Sequence, residues 1–254
     1  MNAVKNICFL VAMLVPMSLL AVTPEQQVSE ANRAYYTGHY DMAAQIYEKV
    51  IHAGFASPEL YYNLGNAYFK LGNMPIAILY YEKAHKLAPA DADIAHNIRL
   101  ANTKIVDKIE PVPVLFYIRW WNNARNLLSP DGYAKSSLAL LSLFWIMLAG
   151  YFLARRRGIR VTAFYFAMLF LVVSILGLIL AADSHHHALN PDEAIVIEAS
   201  AGVKSSPDEK STDLFVVHEG TKVTVMDRIG GDWEEVKIAN GNSGFIQTKA
   251  IREI

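Results

Sequence analysis

Apolar positions along the chain fall into three patterns, and each predicts a different kind of element. The first pattern is unbroken hydrophobicity. It covers residues 7–21, residues 136–154 (19 positions without a charge) and residues 161–182 (22 positions). At 1.5 Å per residue, about 20 helical residues cross a hydrocarbon core of about 30 Å. The second and third runs therefore predict two transmembrane helices, over 133–154 and 161–182. The first run follows Lys5, contains Pro16 and ends at Ala21. It predicts a signal peptide over 1–21, or an anchor helix if it is retained.

The second pattern is a helical repeat. Gly38 recurs as Gly72, Ala43 as Ala77, and Tyr47-Glu48-Lys49 as Tyr81-Glu82-Lys83, each at an interval of 34 residues. In the second copy, Tyr61, Leu64, Gly65 and Tyr68 line one helix. Gly72 makes the turn, Ala77, Tyr81 and Ala84 line the next helix, and Pro89 ends it. Small residues let paired helices approach, and aromatics fill the holes between them. This period and content resemble the tetratricopeptide repeat. They predict an all-α solenoid over 24–108, closed by a capping helix from Ala92. The resemblance implies a partner-binding groove lined by Asn32 and Tyr35, then by Tyr62, Asn63, Asn66, Phe69 and Lys70. One subclass of these repeats clamps a C-terminal carboxylate between asparagines and cations. Asn32 and Asn63 match its asparagine positions. Val28 and Asp93 stand where lysines are needed, and Asn97 where a further cation is needed, so the clamp is incomplete.

The third pattern is short alternating runs over 193–254: AIVIEA, LFVVHEG, KVTVMD, WEEVKI and GFI, punctuated by Gly220, Gly230, Asn240-Gly241 and Gly244. Five short strands predict a small all-β barrel. The order of landmarks resembles a bacterial SH3-like domain, with Gly244-Phe245-Ile246 where that family has Gly-Trp-Val. Trp233 and Phe245 are then either barrel packing or an aromatic face for a peptide or cell-wall ligand.

Charge changes the picture only when divided along the chain. The total is −1, from 23 basic and 24 acidic residues, and that near-balance argues against a nucleic-acid binder. Residues 133–182 hold five basic and no acidic residues, whereas residues 183–254 hold 7 basic and 13 acidic. Arg155, Arg156, Arg157 and Arg160 crowd the turn at 155–160 between the predicted spans. Arginine-rich short loops stay in the cytoplasm. The repeat helices and the strand region are then expected on the periplasmic side of a bacterial inner membrane. Residues 109–132 form a linker whose LFYIRWW segment, with Trp120 and Trp121, suits the membrane interface. The spans carry no ionisable residue, so they read as an anchor and not a transport path. The acidic strand region disfavours anionic polymers as ligands.

Candidate chemistry is sparse. Cys8, the single cysteine, lies inside the first apolar run. The sequence has no phosphate loop, no His-Glu-x-x-His and no nucleophile elbow. His185, His186 and His187 are adjacent, a spacing that suits a polar linker better than a metal site. No catalytic residue, cofactor or metal is expected.

The order of the parts is more specific than any one of them. It resembles the BatE-like proteins of the Bacteroides aerotolerance operon family, through Asp107-Lys108-Ile109-Glu110, Ala194-Ile195-Val196, Leu214-Phe215 and His218-Glu219-Gly220-Thr221-Lys222-Val223. The resemblance implies a non-catalytic envelope scaffold involved in aerotolerance or stress. It also implies as partners von Willebrand A-domain membrane proteins and, through the arginine turn, a MoxR-type ATPase. A cell-wall or peptide sensor, with the SH3-like region as ligand-binding part, is the competing expectation. Both describe two small exported modules on one anchor.

Overall fold

Two Gly-turned helix pairs open the fold of the described residues, which are 23–189, 192–230 and 232–254 of a computed structural model. The expected signal peptide lies outside them. The chain divides into two compact units, Met1–Phe55 and Ala56–Ile254.

In the first unit, α1 (Pro24–Tyr36) and α2 (Tyr40–His52) form an antiparallel pair. Thr23 and Gln26 form a reciprocal capping box ahead of α1, with Pro24 in the first turn. Gly38 takes φ +84 between the helices, a conformation that costs any residue with a Cβ. Ala31, Ala34, Ala43, Ala44, Tyr47 and Val50 are buried.

The second unit begins with α3 (Pro58–Lys70), α4 (Met74–Leu87) and α5 (Ala92–Asn102). Ser57, Asn73 and Asp91 cap them by accepting backbone N–H bonds, which satisfies donors that a helix start leaves unpaired. Gly72, at φ +79, repeats the Gly38 turn. A Cβ at Gly65 would lie 2.6 Å from the Tyr81 ring, so only glycine lets α3 and α4 approach this closely.

The expected linker contains a further helix, α6 (Phe116–Arg125). Then come α7 (Pro130–Leu153) and α8 (Arg157–Leu189), both long and apolar enough to cross a membrane. Ser129 caps α7 by accepting from the Gly132 N–H at 3.2 Å, with Pro130 in the first turn. Small residues of the pair are buried, Ser137 on α7 and Ala163, Ala167 and Ser174 on α8, and Ser137 meets α8 at Ser174 and Gly177. Ser174 Oγ donates to the Ser137 carbonyl at 2.9 Å. Most of their large apolar side chains stay exposed.

Two sequence expectations shift here. The connection between the spans is residues 154–156, because α8 starts at Arg157. Arg155 and Arg156 lie in the turn. Arg157 and Arg160 lie in the first helical turn, where the Arg160 guanidinium sits 5.0 Å from the Tyr151 ring centroid. At the other end α8 runs through His185, His186 and His187, so these residues are helical and not a linker. Polarity alone does not stop a helix.

Seven strands follow: β1 (Glu193–Val196), β2 (Ser200–Lys204), β3 (Asp213–His218), β4 (Lys222–Ile229), β5 (Trp233–Lys237), β6 (Ser243–Gln247) and β7 (Ile251–Glu253). They form one antiparallel sheet in the order β3-β2-β6-β5-β4-β1-β7. The ladder ends at β3 and β7, so it is an open sheet and not the closed five-stranded barrel expected. All seven strands contribute to its core, which includes Val196, Val203, Val217, Val223, Val236, Ile246 and Ile251. Gly244 allows β6 to pass close to β2, since a Cβ there would meet the Lys204 carbonyl at 2.7 Å.

The sheet and the helices α3–α5 are not separate modules. Ile195 of β1 and Ile254 share one buried cluster with Ala77, Ile78, Leu79 and Tyr81 of α4 and Ala101 of α5. The segment after α5 then lashes onto the sheet. Ile109 packs on the strand core, and Val112 N donates to the Ala239 carbonyl at 3.0 Å.

Candidate partner-binding site on the repeat helices

The 34-residue period reappears in the hydrogen bonds. In the first unit, the Tyr47 hydroxyl donates to Asn32 Oδ1 at 2.5 Å. In the second, the Tyr81 hydroxyl donates to Asn66 Oδ1 at 2.8 Å. Burial pushes the Tyr47 phenol up to about 12, so it stays a donor across the physiological range. Asn32 and Asn66 thus orient a buried tyrosine in each copy. Tyr35 packs its ring edge-on to Tyr36 and Tyr40 at 5.9 and 5.2 Å between centroids.

On α3, Asn66 does more. Its Oδ1 also accepts from Asn97 Nδ2 of α5 at 2.9 Å, and the same Nδ2 lies 3.1 Å from the Tyr62 hydroxyl oxygen, to which it donates. Tyr62 and Phe69 pack against the α4–α5 core, with the Tyr62 and Tyr81 ring centroids 5.9 Å apart. Three of the five expected α3 groove residues, Tyr62, Asn66 and Phe69, are therefore committed at least in part to holding helices together. Lys70 is exposed at the end of α3. Asn63 and Tyr62 line a cleft of 230 Å³ whose other walls include Glu59 of α3, Asp91 before α5, and Asp93 and Ile94 on α5.

Among the described residues, three carboxylates and no basic side chain line that cleft. One missing cation of the carboxylate clamp is replaced by an acid, Asp93, and Asn97, read from sequence as an absent cation, is the bridge between α3 and α5. The cleft suits a basic or amine-bearing ligand. The signal for this was in the sequence, as Asp93 at a lysine position, but the contribution of Asp91 and Glu59 was not.

On the sheet, cross-strand register pairs Trp233 with Gln247 and Glu235 with Phe245, so Trp233 and Phe245 share one face. Both are half-buried. The opposite face carries the buried Val236 and Ile246. Trp233 lines a cleft of 270 Å³ with Gly202, Gln247 and the Lys204–Asp213 ion pair, whose charged atoms are 3.0 Å apart. Among the described residues, no three His, Cys, Asp or Glu side chains are grouped so as to hold a metal ion.

No characterised protein aligns significantly with the chain. The tetratricopeptide repeat family model matches residues 58–91, which span α3, α4 and the cap of α5, and this match supports the element as a protein–protein interaction module.

Proposed function

We propose that this chain is a non-catalytic, membrane-anchored scaffold that binds partner proteins in the bacterial envelope. The tetratricopeptide helices are its binding module and the α7–α8 hairpin its anchor. The observation that carries this reading is the acid-lined cleft on the matched repeat, built from Glu59, Asn63, Asp91 and Asp93. The arginines at the turn between α7 and α8 support a cytoplasmic turn, with the repeat helices and the sheet in the periplasm. Within this reading the sheet is an SH3-like module. The resemblance to the BatE-like family supplies the context, an aerotolerance or stress-related membrane complex. Its candidate partners are von Willebrand A-domain membrane proteins and a MoxR-type ATPase reaching the turn.

The test is cross-linking of the full chain in membranes, followed by recovery of bound proteins. Glu59→Lys with Asp93→Lys is expected to abolish recovery while thermal unfolding stays close to wild type. Undiminished recovery overturns the cleft assignment. A phosphatase reporter fused after Gly132 is expected to be active and one fused at Gly158 silent, and the reverse pattern overturns the orientation.

A second reading, a peptide or cell-wall sensor, is favoured by the cleft beside Trp233. It predicts co-sedimentation of the detergent-solubilised chain with purified cell wall, lost in Trp233→Ala.

A further inference from the structure

Where α4, α6, α8, β1 and β4 meet, their side chains enclose a cavity of 200 Å³. Nitrogen donors reach it from three helices: His85 and Lys86 from α4, Arg125 from α6 and His187 from α8, with the Ser184 hydroxyl beside His187. Two carboxylates also line it, but both are engaged. Lys222 Nζ lies 3.0 Å from Glu82 Oε2 and 2.9 Å from Glu193 Oε2. The nearest carboxylate oxygen to Arg125 is that of Asp183, at 3.8 Å. Arg125 Nε and His85 Nδ1 are buried with no hydrogen-bond partner among the described residues. Lys86 Nζ donates to the Ile254 carbonyl at 3.1 Å, so the unmet groups are the Arg125 and His85 nitrogens, which is costly unless something fills the gap.

The electrostatics agree. Burial lowers the pKa of His85; Glu82 pulls the other way and Lys222 adds to the lowering. Burial also holds Lys86 below the usual lysine range, with Glu193 opposing and Lys222 reinforcing. A cavity that penalises its own cations gains when an anion enters.

The level of the cavity along α8 narrows the ligand. Ser184 and His187 lie two and five residues past Ala182, about 3 and 8 Å beyond the apolar run. At this level the Trp121 indole N–H donates to Asp183 Oδ2 at 3.0 Å. Phe116, Tyr117 and Trp120 of α6 are exposed, as aromatic residues are at the headgroup layer.

We propose that this cavity binds a phosphate group, that of an anionic phospholipid headgroup, with Arg125 and Lys86 as its cationic contacts and the His187 imidazole as a further hydrogen-bond donor. A tetrahedral oxyanion uses donors arriving from several sides, which three helices supply. The inference goes beyond partner binding and rests only on the reading of α7 and α8 as membrane-crossing helices.

The test uses the full chain purified in detergent, followed by native mass spectrometry and thermal unfolding with three probes: phosphatidylglycerol, phosphatidylcholine and inorganic phosphate. Phosphatidylglycerol is expected to stay bound and raise the unfolding midpoint by several degrees, and phosphatidylcholine to do neither. Protection by inorganic phosphate alone supports the phosphate site and assigns its source to solution. Arg125→Gln with His187→Gln is expected to weaken binding at least about tenfold, and Lys249→Gln on the far sheet to leave it unchanged. Should Arg125→Gln disturb the α6–α8 contact, His187→Gln alone, checked for native circular dichroism, still weakens binding several-fold. Equal binding of both lipids, no binding of lipid or phosphate, or full binding by the double variant overturns the proposal. Failure of the membrane reading appears separately, as recovery of the chain without detergent, while the inorganic phosphate arm still reports on the cavity.

Discussion

Lys222 of β4 and Glu82 of α4 are 140 residues apart in sequence, yet their charged atoms lie 3.0 Å apart. Glu193 of β1 shares the same ammonium at 2.9 Å. One lysine thus ties a repeat helix to two strands. Replacing it with methionine keeps the length of the side chain but leaves two carboxylates without their cation. Breaking a fully buried pair costs about 3–5 kcal/mol. The Lys222 side chain keeps 37% of its exposure, so solvent screening reduces the expected loss to about 2 kcal/mol. Denaturant unfolding of the full chain in detergent measures it. Adding Glu82→Leu to Lys222→Met is expected to recover part of the loss, because the apolar pair no longer buries Glu82 uncompensated.

The same cluster sets a pH window. Burial raises the Glu193 pKa, but the Lys222 charge and hydrogen bond outweigh it, and the net shift is downward. Burial lowers that of Lys222, but Glu82 and Glu193 outweigh it, and the net shift is upward. A lowered carboxyl contributes stability above its unfolded pKa of about 4.3, lost as pH falls through the folded value. A raised lysine contributes stability below about 10.4, lost as pH rises through the folded value. His85, lowered by burial, is neutral in the fold, so charging it begins to destabilise below about pH 6.5. The midpoint of thermal unfolding is expected to fall below about pH 6.5 and again above about pH 10.4, where the Lys222 contribution is lost. In Lys222→Met the alkaline fall due to this lysine disappears.

The repeat was legible because its packing is local. Identities at 34-residue spacing are the same positions that bury Tyr47 and Tyr81 and place Asn32 and Asn66 beneath their hydroxyls. The junction was not legible, because Lys222, Glu82 and Glu193 carry no local signature and only the tertiary fold brings them together. β7 is three residues long, too short for alternation to register. The two long apolar helices end elsewhere than their apolar runs for a different reason. Hydropathy marks where apolar surface ends, whereas the α8 helix continues through Ser184 and three histidines until Leu189. In the repeat helices, an asparagine that orients a tyrosine looks the same in sequence as one that meets a ligand.

Gly65 offers a direct test of the helix spacing. A Cβ there would lie 2.6 Å from Tyr81 Cδ1, and the Tyr81 ring is buried. Gly65→Ala gains about 1 kcal/mol of helix propensity and loses about 1–3 kcal/mol to overpacking. The expected net change is destabilising by about 1 kcal/mol, with loss of the Tyr81–Asn66 hydrogen bond. Gly158→Ala, with open space at the same probe position, is expected to be neutral or slightly stabilising. Equal behaviour of the two variants in thermal unfolding refutes the close approach of α3 and α4.

Asp107 supplies the last prediction, because it accepts three hydrogen bonds from the β3–β4 turn. His218 N and Thr221 Oγ1 donate to Oδ2 at 2.8 and 2.7 Å, and His218 Nδ1 lies 2.8 Å from Oδ1. Burial pushes the carboxyl up, the three hydrogen bonds push it further down, and its pKa is lowered. Its contribution is therefore lost as pH falls through the acid range. Asp107→Asn keeps the shape but removes the charge and turns one acceptor into a donor, at an expected cost of about 1–2 kcal/mol. Asp107→Ala leaves the buried Thr221 hydroxyl and the His218 amide unsatisfied, at about 2–3 kcal/mol. Hydrogen exchange separates a local effect from a global one. The His218 amide is expected to lose protection in both variants, whereas the Val236 amide in the sheet core keeps its own. If the two amides exchange alike, Asp107 does not clamp this turn, and the segment after α5 is held to the sheet by Ile109 and Val112 instead.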